Sequence, residues 1–83
     1  MSEAKYIIFE VAGITSAIVF PNHIVHADMA RALGARGKVS GAGFCLVDDS
    51  GYNCYGESTS LNVKSNYSLD SNILNKKLGY TGV

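Results

Sequence analysis

An α+β domain is the fold class this sequence predicts. Its elements run in the order ββαββα, on a mainly antiparallel sheet of four to five strands with two helices. Three observations predict it. Two apolar runs flank the two-residue turn Ala12–Gly13, so they form a hairpin. A segment with apolar residues at helical spacing follows each of two strand pairs. Tight turns join consecutive strands, whereas parallel pairing needs long crossovers. We expect the helices on one face of the sheet.

The first strand is KYIIFEV, residues 5–11, rich in β-branched and aromatic side chains. The second is ITSAIVF, residues 14–20. A two-residue turn pairs Val11 with Ile14, Phe9 with Ser16 and Ile7 with Ile18. One face then carries Ile7, Phe9, Val11, Ile14, Ile18 and Phe20, a core face. The other carries Tyr6, Ile8, Glu10, Thr15, Ala17 and Val19, half of it apolar.

Residues 21–34 predict the first helix. Asn22 is its N-cap, Val25, Met29, Ala32 and Leu33 its apolar stripe, and Gly34 its stop. Residues 38–47 predict a third strand, where Gly41 and Gly43 suggest a bulge or a close backbone approach. DDSG, residues 48–51, is a turn, and YNCYGE, residues 52–57, returns. A four-residue loop sets Val47 opposite Tyr52 and Cys45 opposite Cys54. A short strand is expected at 61–63. The last helix spans 68–79, capped by Ser68 and ended by Gly79, with Leu69, Ile73, Leu74 and Leu78 buried.

Eighty-three residues make one domain, 1–83. With 47% apolar residues the chain is not intrinsically disordered. A domain of this size buries only about 60% of its extended surface, so self-association is plausible on stability grounds. Seven bases balance seven acids, which disfavours non-specific duplex binding. No apolar run is long enough to span a membrane, and the N-terminus lacks the pattern of a signal peptide. The expected location is the cytoplasm, where two cysteines stay thiols.

GESTSLNVKS, residues 56–65, concentrates side chains that could bind a ligand. It resembles a G-x-S-x-G elbow, but Ser60 replaces the last glycine and the element order lacks the parallel sheet an elbow needs. It is not a phosphate loop either. It is a polar edge strand or one wall of a binding site. The segment RALGARGKV supplies Arg36 and Lys38 as a grip for an anion. His23 and His26 lie three apart on the first helix, without the further ligands that a metal site needs. His26 is a candidate ligand contact, since a near-neutral histidine can donate or accept. Tyr55 is one of several tyrosines able to stack a base.

The segments IVFPNHIVHADMARALG, VSGAGFC and YGESTSLNVKS are similar to those of small uncharacterised proteins encoded by bacteriophages and prophages. The resemblance covers most of the chain and transfers no catalytic motif. It implies a phage accessory protein of the host cytoplasm. Such proteins often act against host defence, by binding a defence protein or as an oligomeric sponge for a nucleotide second messenger.

The leading expectation is non-enzymatic sequestration of a small anionic, nucleotide-like ligand at a homo-oligomer interface. Arg36 and Lys38 would hold phosphates, Ser58, Thr59, Ser60 and Ser65 the ribose and phosphate oxygens, and Tyr55 the base, with His26 as a further contact. Neither cofactor nor metal is expected. The apolar second face of the first hairpin argues for the oligomer. The alternative is an inhibitor that binds a host defence protein through an apolar face or an edge strand. An enzyme is disfavoured because no acid–base–nucleophile set is evident.

Overall fold

The computed structural model describes residues 3–35 and 37–79. The elements are β1 (Glu3–Val11), β2 (Ile14–Pro21), α1 (His26–Ala32), β3 (Val39–Asp48), β4 (Gly51–Tyr55), β5 (Glu57–Ser58), β6 (Val63–Lys64) and α2 (Tyr67–Leu78). Four strands form one antiparallel sheet in the order β2-β1-β3-β4. β5 and β6 form a small antiparallel hairpin of their own. No helix among the described residues is long and apolar enough to cross a membrane.

The predicted registers hold. Val11 pairs with Ile14, Phe9 with Ser16 and Ile7 with Ile18. Ala12 and Gly13 both take positive φ, 53° and 78°, the backbone of a type I′ turn that suits a twisted hairpin. Cys45 faces Cys54, and Val47 faces Tyr52. The second hairpin is tighter than expected, because Asp48 pairs with Gly51. The Asp48 carboxylate accepts from both the Ser50 amide (2.8 Å) and the Ser50 hydroxyl (2.6 Å), which closes the turn.

The helices lie on opposite faces, not on one. Tyr6, Ile8, Cys45 and Cys54 pack against Leu74 of α2. Ile7, Phe9 and Phe20 pack with Ala30 of α1 and with Ala35. The cause is in β1, where Tyr6 through Phe9 are all buried. A strand covered on both sides reads as a continuous apolar run, and burying each isoleucine stabilises the fold by roughly 2 kcal/mol. Ala17 and Val19, on the hairpin face that argued for an oligomer, pack against the α2 cluster. That apolar face is the seat of a helix, and this ground for an oligomer disappears.

α1 is shorter than predicted and starts at His26. Asn22 is not its cap. Residues 21–24 form a turn in which the Ile24 amide donates to the Pro21 carbonyl (3.1 Å), and Lys5 Nζ donates to the Ile24 carbonyl (2.9 Å). Val25 stands at the N-cap and has no side chain able to accept. The C-terminus closes as a Schellman motif, Gly34 N–H to Arg31 O (3.0 Å) and Ala35 N–H to Ala30 O (2.8 Å), with Ala35 fully buried.

α2 also differs. Its cap is Asn66, whose side chain accepts from the Leu69 amide, rather than Ser68. Leu69 is 57% exposed, while Asp70 is buried. The helix therefore turns polar groups toward the sheet, which a purely apolar stripe could not reveal.

Candidate functional site

The hydroxyl-rich stretch folds as the β5–β6 hairpin, with Glu57 opposite Lys64 and Ser58 opposite Val63. The hydroxyls of Ser58, Ser60 and Ser65 are used inside the fold. Ser58 is fully buried, and its oxygen accepts from the Leu61 amide (3.2 Å). Ser60 Oγ accepts from the Ala27 amide (3.1 Å), so it supplies the cap that Val25 cannot. Thr59 is exposed at the turn, where its carbonyl accepts from the Asn62 amide (3.2 Å).

Ser65 belongs to a buried chain of polar groups. The Tyr6 phenol donates to Asp70 Oδ2 at 2.5 Å. The Ser65 hydroxyl has one proton and three oxygens within reach, the Tyr6 phenol at 2.6 Å and the Tyr55 and Ala42 carbonyls at 2.9 and 3.2 Å, so these contacts share it. Asp70 Oδ2 also accepts from the Asn66 amide (3.1 Å). Burial, reinforced by Asp70, holds the Tyr6 phenol far above its ordinary range, so it stays a donor. The two glycines of β3 make room for this chain. A Cβ at Gly41 would fall 2.7 Å from Asp70 Oδ2, and one at Gly43 would fall 2.3 Å from Ser65 Oγ and 2.5 Å from the Tyr55 carbonyl. The β1–β3 register shifts beside them, between Ile8 and Phe9.

His26 is buried on the α1 face. Its Nε2 lies 2.8 Å from the Gly43 carbonyl, which can only accept, so Nε2 carries the proton. Phe20 and Phe44 meet the ring edge-on, with centroids at 5.6 and 5.9 Å. Burial lowers its pKa and keeps the ring neutral. Tyr55 stacks on Phe44 with ring centroids 6.0 Å apart and donates to the Glu3 carboxylate, whose hydrogen bond pushes the phenol up to about 12.

Lys38 is exposed and lines an open groove of about 500 Å³ with Glu10, Gly13, Gly37 and Ser40 among others. None of the four hydroxyl residues lines that groove, and Glu10 brings an acid to it. Arg36 lies outside the described residues. The structure thus brings Ser58 and Ser60 together, and Ser65 to the backbone of Tyr55. It does not bring Lys38 into one lining with them.

Both cysteines are free and fully buried. Burial pushes Cys45 up to about 12 and Cys54 to about 11, so both remain thiols at neutral pH.

The two edges of the main sheet are built differently. At β4, Asn75 of α2 accepts from the Tyr52 amide (2.9 Å) and donates to the Tyr52 carbonyl (3.4 Å), and Ser71 Oγ accepts from the Cys54 amide (2.9 Å). Among the described residues, the β2 edge has no such cover. Hydrogen-bonded and open pairs alternate along an antiparallel ladder, and a two-residue hairpin closes on a bonded pair. Val11–Ile14, Phe9–Ser16 and Ile7–Ile18 are then the bonded pairs, and Thr15, Ala17 and Val19 turn their N–H and C=O groups outward. The phase is confirmed at Glu10, whose amide leaves β2 for the Lys38 carbonyl (3.0 Å). Pro21, which lacks an N–H, falls on the same outward phase, where proline is tolerated. Among the described residues, no hydrogen bond from another element reaches the main chain of Thr15, Ala17 or Val19. None of the eight residues of β2 is charged, and Ile14 is 63% exposed.

Sequence reasoning missed Tyr6, Asp70, Ser71 and Asn75 as an ordered set. The available signal was a polar i, i+1, i+5 group on a helix with few apolar residues. Neither a family model, nor a curated protein, nor a solved structure matches the chain.

Proposed function

We propose that the chain is a non-enzymatic binding module that acts by adding a partner's extended strand to β2. The observation that carries this reading is the contrast between a covered β4 edge and a bare β2 edge with three consecutive outward main-chain donor–acceptor sets. Main-chain pairing gives such an edge affinity, and the uncharged side chains select an equally uncharged strand. The nucleotide-sequestering reading loses support, because the hydroxyls of Ser58 and Ser65 have partners inside the fold. A non-enzymatic role fits side chains that are occupied structurally: His26 on a carbonyl, Tyr6 on Asp70, and thiols held protonated by burial.

The test uses wild-type chain and Thr15→Lys as matched immobilised baits for extended, uncharged peptides, one of them with the β2 sequence of residues 14–21. The introduced lysine would stand opposite Glu10, so the fold tolerates it. Partners retained by wild type and lost by Thr15→Lys support the reading. Identical capture by both chains overturns it.

A further inference from the structure

We propose that the strand added at β2 is the β2 strand of a second copy, giving a closed dimer with a continuous eight-stranded sheet. This inference rests on the strand-addition reading of the same edge and names its occupant.

The outward groups are symmetric about Ala17. An antiparallel two-fold pairing with its axis at Ala17 sets Ala17 against Ala17 and Thr15 against Val19 twice. Every outward N–H then meets an outward C=O, about six hydrogen bonds in three bonded pairs. A two-fold perpendicular to the sheet also keeps the faces in phase, so that α1 faces lie together and α2 faces lie together. On the α1 face it places Ser16 of one copy beside Ile18 of the other. It also sets the exposed Ile14 opposite position 20 of the other copy. The run stops at Pro21, which has no donor and whose carbonyl is taken by the Ile24 amide.

Two further features favour this occupant. An uncharged strand meets its own copy without repulsion, which no edge guarded by lysines would allow. The covered β4 edge forbids the head-to-tail alternative, in which β2 of one copy would pair with β4 of the next and grow a fibre. With one edge closed, pairing of like edges gives a finite dimer.

Light scattering on the purified chain should report twice the 8.8 kDa protomer mass. Ala17→Pro, which removes the central donor, should return the protomer mass with an unchanged circular dichroism spectrum. Should that variant misfold, cysteine cross-linking decides. Under a mild thiol oxidant, Ala17→Cys should form a disulfide-linked dimer, because residue 17 faces itself. Ser16→Cys should not, because it faces Ile18. Cys45 and Cys54 are buried and do not compete. A protomer mass at all concentrations, with no Ala17→Cys cross-link, overturns the self-pairing but leaves strand addition to the bait comparison. A dimer that survives both Ala17→Pro and Thr15→Lys overturns the self-pairing at this edge, and partners captured equally by both baits overturn the broader reading.

Discussion

α2 meets its face of the sheet through Asp70, Ser71 and Asn75 as well as Leu74, whereas α1 meets the opposite face through Ala30 and the ring of His26. On the α2 side, polar side chains fix position by hydrogen bonds to specific strand atoms. On the α1 side, apolar packing does most of the work, and the helix borrows its cap from β5–β6. The difference teaches that a stitched interface tolerates no change of shape, while a packed one is sensitive to protonation and to remote support.

The largest effect is expected where the stitched side has least room. Gly43→Ala sets a Cβ against a main-chain carbonyl that cannot swing away, and should cost about 3 kcal/mol. Gly41→Ala meets only the Asp70 side chain and should cost less. Chemical denaturation of the two variants orders them, and the reverse order would break the contrast between rigid and yielding neighbours.

Tyr6→Phe comes next. It strands the buried Asp70 carboxylate with one fewer donor and should cost about 2 kcal/mol, read from the denaturation midpoint. A neutral outcome would mean that the apolar contacts alone hold α2.

Ser60→Ala tests the borrowed cap and should cost about 1 kcal/mol. The loss should fall on α1, seen as faster amide exchange in residues 26–32 while α2 keeps its protection.

The smallest effect is a pH response on the α1 side. His26 has a folded pKa below its unfolded value of about 6.5. The unfolded chain therefore binds the proton first, so stability from this group is full above about pH 6.5 and is lost as pH falls below it. Melting temperature should drop between pH 7 and pH 5 in wild type, with a shallower slope in His26→Gln. Equal slopes would remove His26 as the cause.

These contrasts also mark what the sequence could express. Both hairpin registers were legible, because a two-residue turn and a period of two leave few choices. Gly41 and Gly43 read as a close approach, and the structure places Asp70 and Ser65 there. The placement of the helices was not legible. Tyr6 through Phe9 is apolar on both faces, and its meaning depends on a helix more than sixty residues away. The partners of the hydroxyl cluster were hidden for a similar reason. Ser58, Ser60 and Ser65 look free in sequence because their partners, Leu61, Ala27 and Ala42 among them, are main-chain groups set by the folded topology.

The loan from Ser60 to Ala27 spans 33 residues and orders events in time. A seven-residue helix is too short to persist alone in water, and the N-terminus of this one has no side-chain cap from its own segment. α1 gains this cap only once the β5–β6 hairpin has been synthesised and closed. During translation the first hairpin leaves the ribosome before the groups that complete both of its faces, Ser60 for α1 and Leu74 for α2, have been made.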